Sequence, residues 1–472
     1  MLKNKNILLT SLFLIITIVP FIYVTYSLRD TFLDDSYITL TYSKHFFQIG
    51  KPWYNIIDKI QGNGQTSVLW MLIQSVFFNF KNINAIYINK CISFFCVLIV
   101  IYSLLKSYIA HKSILIKIII LLFSVFFSTS SALNISHGLE TVFFASVLFL
   151  FLKYRNNKIV YFIAFLLPFI RPESIVFTLF FVIDTKFFST LFYKRLLTVL
   201  LSIVCYLLYT TYYYDVLLPL PFLLKNTQEF SFEKISNFIS VIVIFSPIII
   251  LVVKNYKTKF IFYAPLFFFI VYYSFFIDDV MNFFDRYRYP LFVYYVFFLC
   301  YEDFEVFKNK KINIILFVAS FIGIYSYCKY IEKHVRFLLD SYSYSMTNGP
   351  IYIGNYFREI SKSENKKLKI INSDAGAIAY YSDCYLYDTW GLNNASLLLY
   401  KKDKNWTAYQ SYLKQVHPDY IVLISKDPHK FIPRLDFEWK IYEYFTLNNQ
   451  KPIMVKKSME EYYYFIYKVS NP

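Results

Sequence analysis

About eleven apolar runs, most near the ~20 residues that a helix needs to cross a bilayer, constrain this chain more than any other feature. They lie near 7–28, 84–105, 114–133, 139–153, 159–170, 173–185, 196–213, 237–253, 260–277, 288–301 and 312–330. Inside lipid the backbone has no water to bond, so such runs become helices. Several are short, and flanking Tyr, Ser and Thr can extend them or the bilayer can adapt. The first run follows Lys3 and Lys5 and resembles a signal peptide. Its length, the Arg29-Asp30 pair where a cleavage site needs small residues, and the spans that follow mark it as an uncleaved first helix. A mean hydropathy of +0.43 agrees with a membrane protein.

The net charge of +17 would point to nucleic acid in a soluble protein. Here the charges sit in short loops between apolar runs, which excludes that partner and names the lipid bilayer instead. Lys106, Lys112 and Lys117, then Lys153, Arg155 and Lys158, then Lys186, Lys194 and Arg195, then Lys254, Lys257 and Lys259, and finally Lys308, Lys310 and Lys311 fall in alternate loops. That is the positive-inside pattern. It holds when the apolar run 66–80, about 15 residues and short for a span, lies in the outer interface. The expected topology has the N-terminus cytoplasmic and the C-terminus extracytoplasmic, in a bacterial inner membrane. It gathers 29–83, 136–141, 171–173, 214–225, 278–288 and everything after about 331 on the outer face.

The region 342–472 is polar and lacks long apolar runs. Strands are expected at 369–372, 384–387 and 420–424, with a helix beginning over 375–381, which suggests a small α/β domain. The expected fold is therefore mainly α: a polytopic transmembrane bundle over 1–335, including the loop 29–83, and an extracytoplasmic α/β domain over 342–472. The six cysteines show no metal or disulfide spacing.

Several polar groups stand out against this background. Asp34 and Asp35 follow the first span and precede an amphipathic stretch in which Ile38, Tyr42, Phe46 and Ile49 recur at helical spacing. Carboxylates there can cap a helix, deprotonate a hydroxyl or bind a divalent cation. Glu140, in Ser136-His137-Gly138-Leu139-Glu140-Thr141, reads either as a helix-start carboxylate or as a functional one, and His137 alone reads as a solvated loop residue. Arg171-Pro172-Glu173 reads as a boundary ion pair or as an arginine aimed at a lipid phosphate. Pro219 and Pro221 keep 214–225 out of a regular helix, and Lys225 ends it. Lys225, Arg286 and Arg288 suit lipid headgroups or a bound phosphate. Asp374 and Asp388 follow predicted strands, where turns or ligand groups both occur. No GxGxxG, P-loop, HExxH or GxSxG motif is present.

Taken in order, these segments resemble the GT-C type polytopic glycosyltransferases, in the group that includes the mycobacterial terminal β-(1→2)-arabinofuranosyltransferase. The resemblance rests on Asp34-Asp35-Ser36-Tyr37-Ile38 with Tyr42, and on Gly64-Gln65-Thr66-Ser67-Val68-Leu69-Trp70. It continues through Gly138-Leu139-Glu140-Thr141, Arg171-Pro172-Glu173, Asp215/Pro219/Lys225, Asp374/Gly376 and Asp388/Gly391/Leu392. The departures are Leu220-Pro221 in place of Asn-Thr, Val68 in place of a proline, and a missing arginine before Tyr42.

The resemblance implies transfer of a sugar from a polyprenyl-phosphate donor to a glycan or glycolipid acceptor of the cell envelope, with inversion. It implies that the Asp34/Asp35 pair holds the base, with Asp34 favoured and Asp35 in support. It assigns Glu140, Arg171, Glu173, Lys225, Arg286 and Arg288 to the donor phosphate, and Tyr37, Trp70, His137, Asp374 and Asp388 to the acceptor or outer domain. Some GT-C enzymes use a divalent metal, although the sequence shows no ligand set for one. A lipid-linked glycan ligase or polymerase is the neighbouring reading. A flippase or transporter is the distant one, because transport calls for charges within the spans rather than at one face.

Overall fold

The computed structural model describes residues 2–80, 84–224, 232–277, 286–302 and 310–469. Every apolar run named above carries a helix. In order they are Leu2–Ser27, Ala85–Ala110, Ile114–His137, Thr141–Lys153, Ile159–Ile170, Ile175–Ile183, Thr190–Tyr213, the pair Phe232–Ile244 and Ser246–Lys254, Tyr256–Phe275, Phe292–Tyr301 and Lys310–Phe337. Five helices are long and apolar enough to cross a membrane: Ile7–Ser27, Ala85–Ala110, Ile114–His137, Thr190–Tyr213 and Tyr256–Phe275. The bent pair makes a sixth if it is one span. Its 65° break falls at Phe245, and Pro247 in the next turn removes a helix hydrogen bond there. The protein is a multi-pass membrane protein.

The chain divides into two compact units. The first holds 1–30, 86–206 and 225–336; the second holds 31–85, 207–224 and 337–472. The loop after the first helix, grouped by sequence with the membrane module, thus clusters with the C-terminal region.

In the first unit, helix ends pair in two groups. At one end, Lys90 Nζ donates to the carbonyl oxygens of Leu28 and Arg29, and Asn89 Nδ2 donates to Gly138 O at 2.6 Å. Glu140 meets Arg171 at the same end. At the other end, Arg195 donates to Phe181 O at 2.6 Å, and Lys259 pairs with Glu302 at 2.7 Å. Polar segments at 136–141 and 171–173 therefore share one end, away from basic residues such as Arg195 and Lys259.

The second unit is built on a five-stranded sheet of β1 (Lys369–Asn372), β2 (Tyr385–Asp388), β3 (Tyr420–Ser425), β4 (Met454–Met459) and β5 (Tyr462–Lys468). Its order is β2-β1-β3-β5-β4; β1 runs parallel to β2 and β3, and β5 runs antiparallel to β3 and β4. Side chains alternate between faces along a strand. Ile370, Tyr420, Val422 and Ile424 accordingly pack on one side with Ile38, Tyr42, Met71, Ile353 and Phe357. Ile371, Ile421 and Leu423 pack on the other with Leu397, Tyr409, Leu413 and Ile441. β3 is buried along its whole length, which is why it reads as an unbroken apolar run. The helix Asp34–Ile49 thus covers one face of the sheet. Residues 214–224 clip the loop that follows that helix. Asp215 and Gln61 exchange two bonds at 2.7 and 2.9 Å, and Leu220 N donates to Asn63 O at 2.8 Å. Contrary to expectation, Leu220–Leu224 is a short helix. Pro221 sits in its first turn, where a missing N–H costs nothing.

Asn372 and Asp388 are register partners, so the loops leaving β1 and β2 emerge side by side at the carboxyl edge of the parallel strands. Asp388 organises the second loop. Its carboxylate accepts from the backbone N–H groups of Trp390 (2.9 Å), Gly391 (3.2 Å) and Asn393 (2.9 Å), and from Asn393 Nδ2 (3.0 Å). Gly391 takes the left-handed conformation, φ 89°, that closes the turn. Asp388→Asn would turn an amide donor toward these donors. It is expected to cost about 3 kcal/mol or more and to lower the unfolding temperature of the full chain in detergent by several degrees.

Candidate active site

Asp34 and Asp35 are the first two residues of the helix Asp34–Ile49. Leu33 stands at the cap position, and no side chain caps the helix. Asp34 does cap a helix, but a distant one. Its Oδ2 accepts from Gly376 N at 3.0 Å and its Oδ1 from Ala377 N at 2.8 Å, at the start of the helix Ala377–Ser382. Its own N–H donates to Tyr342 Oη at 3.2 Å. Gly376 has to be glycine: a Cβ there would lie 2.1 Å from Asp34 O and 2.5 Å from its carboxylate.

Asp374 lies in the same loop and accepts from Tyr462 Oη at 2.8 Å and from Tyr464 Oη. Asp34 and Asp35 remain partly exposed as residues. Burial of its carboxyl group, then the nearby Asp374 and Asp35 charges, hold Asp34 well above the usual carboxylate range, against the two amide bonds that favour its anion. Burial raises Asp374 too, although its two tyrosines oppose this. Glu438 joins the edge from the helix Asp436–Tyr444, accepting from Ser373 Oγ at 2.8 Å, and burial pushes it up to about 8. Two carboxyls beside β1 are therefore poised to exchange protons near neutral pH.

Of the expected outer residues, Tyr37 packs its ring on Phe32, Tyr380 and Tyr381 beside Asp34. Trp70 is fully buried in the helix Val68–Phe77, whose first turn is capped by Ser67. Asp388 is occupied by its own loop, as described above. Asp34, Asp35, Tyr37 and Asp374 come together.

The residues assigned to the donor phosphate lie in the first unit, apart from Lys225, which falls outside the described residues. Arg171 pairs with Glu140 at 2.9 Å and Glu173 at 3.3 Å, and all three side chains are largely buried. Its guanidinium also lies 5.0 Å from the Tyr287 ring centroid. Arg286, Arg288 and His137 are buried rather than solvated. Arg286, His334 and Lys90 lie close enough for their charges to act on His137. Among the described residues no group of three or more His, Cys, Asp or Glu side chains is arranged to hold a metal ion, so the residues present do not fit one.

Sequence reasoning missed Lys90, Asp58, Glu438, Tyr462 and Tyr464. Lys90 interrupts an apolar run, a signal that was readable. Asp58, raised by burial to about 7 and bonded to Asn55 and Asn394, looked like an ordinary loop residue.

A family model described as a domain of unknown function, DUF8728, matches residues 346–467. No curated protein matches the sequence. Among solved structures, ArnT from Cupriavidus metallidurans, bound to undecaprenyl phosphate, aligns with a TM-score of 0.51 at 10% identity, over 98% of this chain and 99% of that one. The chain shares that fold. The likeness spans both units.

Gly376→Ala is expected to displace Asp34 and the start of its helix, lowering the unfolding temperature of the full chain together with any activity that depends on Asp34. The Glu438 carboxyl gives a second test. Because its folded value lies above its unfolded one, the folded state holds a proton that the unfolded state loses above about pH 4.5. Stability should therefore fall as pH rises from about 4.5 to 8. Glu438→Gln should flatten that slope in thermal unfolding measured across the same range.

Proposed function

We propose that this protein is a membrane glycosyltransferase that moves a sugar from a polyprenyl-phosphate donor to a glycan or glycolipid acceptor on the outer face of a bacterial inner membrane. One observation carries the reading: an ArnT-like fold along the whole chain, with the Asp34–Asp35 pair at the carboxyl edge of the parallel strands. The orientation follows from the basic loops, with about eleven spans, the N-terminus inside and the C-terminal region outside.

In this reading a carboxylate takes the proton of an acceptor hydroxyl as its oxygen attacks the anomeric carbon. The bond from that carbon to the phosphate oxygen breaks, its electron pair stays on the phosphate, and the centre inverts. Positive charge at one end of the helical unit, from Lys90, Arg286 and Arg288, suits the phosphate of the donor and its growing charge. Glu140 and Glu173 fix the Arg171 fork. Asp374 tunes Asp34 at the acceptor side.

The geometry favours dividing the aspartate roles the other way from the sequence expectation. Both Asp34 oxygens are committed to backbone amides, and its carboxyl is raised enough to hold a proton near neutral pH. Asp35, the next residue, is then the base, and Asp34 positions it. A deletion strain should lose one terminal envelope sugar and accumulate its polyprenyl-phosphate donor, as read by mass spectrometry of glycans and lipids. Asp35→Asn should fail to restore the sugar, with transfer reduced by about 10²–10⁴-fold. Asp34→Asn, which can still accept from one of the two amides, should lose about ten-fold. Full transfer by the Asp35 variant, folded normally, would overturn the assignment.

A further inference from the structure

The loop 61–67 of the second unit is buried throughout most of its length, and two of its polar side chains, Asn63 and Gln65, are not used by the fold. Asn63 is 1% exposed and Gln65 2%, yet none of their four side-chain nitrogen and oxygen atoms has a hydrogen-bond partner. The same is true of Asn393 Oδ1 and Trp390 Nε1 in the loop after β2.

These two loops meet. A Cβ on Gly64, between Asn63 and Gln65, would lie 2.0 Å from Asn393 Oδ1 and 2.5 Å from Leu392 O, so only glycine permits the approach. Asn394 Nδ2 bonds Asp58 Oδ2 at 3.2 Å across the same junction. Backbone groups of both loops, by contrast, are engaged. Tyr42 Oη accepts from Gly64 N at 2.8 Å and donates to Gly62 O at 3.3 Å, Leu220 N donates to Asn63 O, and Asp388 holds the Trp390–Asn393 turn. The loops are rigidly held and their side-chain amides are left over.

Each buried polar group without a partner costs about 1–3 kcal/mol. Apolar residues at 63 and 65 would remove that cost, so the amides point to a hydrogen-bonding occupant. The set itself says what kind. It offers three donors (Asn63 Nδ2, Gln65 Nε2, Trp390 Nε1) and three acceptors (Asn63 Oδ1, Gln65 Oε1, Asn393 Oδ1). A phosphate or carboxylate could use only the donors and would face the acceptors unfavourably. A hydroxyl both donates and accepts, and adjacent ring hydroxyls match the donor–acceptor pair of a planar amide. The β2 loop also lies beside the β1 loop that carries the Asp34 contacts, because Asn372 and Asp388 are register partners.

We propose that Asn63, Gln65, Asn393 and Trp390 form a subsite for the hydroxyls of a neutral sugar ring. Naming that sugar as part of the acceptor rests on the transferase reading; the binding itself does not. The test uses the full chain in lipid nanodiscs and saturation-transfer NMR with the methyl glycosides of glucose, galactose and mannose, with cyclohexanol as control. At least one glycoside should show transfer and cyclohexanol none. The double variant Asn63→Leu, Gln65→Leu should lose that signal at least ten-fold, with an unchanged or higher unfolding temperature.

Trp390→Phe keeps the ring, removes one donor and should weaken binding about five-fold, the loss of roughly 1 kcal/mol. It serves if the double variant does not fold. Asp35→Asn should bind the glycoside normally even where transfer is lost, which separates this proposal from the catalytic one. No signal with any glycoside overturns the subsite and assigns the amides to internal water. So does a signal unchanged in a folded double variant, or in Trp390→Phe.

Discussion

The carboxylate of Asp34, set on the amides of Gly376 and Ala377, ties together parts of the chain some 342 residues apart. Much in the second unit depends on it. The helix Asp34–Ile49 covers one face of the sheet, and its first turn reaches the loop leaving β1. That contact requires glycine at 376 and places Asp35 one residue from an anchored point. It also offsets opposing effects: two amide bonds and a helix N-terminus favour an anion, while burial and Asp374 favour the neutral acid. The second pair prevails, which leaves a carboxyl held in place but readily protonated.

Much of the fold was legible in the sequence because its signals are local. Apolar runs produced helices at every position where they were read, including the short ones. The parallel strands were legible for the same reason: strands of four to six residues with buried apolar centres stand out in a polar region. β4 and β5 were not. β4 is an edge strand in which exposed Val455 and Lys457 alternate with half-buried Met454 and Lys456, and β5 is rich in tyrosines, two of whose hydroxyls serve Asp374. Neither pattern differs locally from a solvated segment.

The site divides along the same line. The Arg171–Glu173 pair was legible because two residues share a turn, whereas Glu140 needed the fold to reach it. Asp34 and Asp35 were visible as charge beside an apolar span, but the helix that Asp34 caps lies on the far side of the sequence. His137 looked like a solvated loop residue because its neighbours are polar; in the fold it is enclosed near Arg286, His334 and Lys90. Sequence thus identified which residues were unusual, and long-range pairing decided what each one does.

The distribution of energetic cost is itself informative. The second unit encloses the carboxyl groups of Asp34, Asp58, Asp374, Asp388 and Glu438, all raised by burial, and it holds Asn63, Gln65, Asn393 and Trp390 with unused polar atoms. A fold selected for stability alone would replace such groups with apolar ones. Asp388 is accounted for by the turn it holds, and Asp58 by Asn55 and Asn394. Asp34, Asp374 and Glu438 have partners but remain raised by burial, and the amides have none. They cluster at the carboxyl edge of the parallel strands, where loops are free to carry chemistry without disturbing the sheet. In the transferase reading proposed above, groups that cost stability and gather where a scaffold permits function are retained for binding and proton transfer.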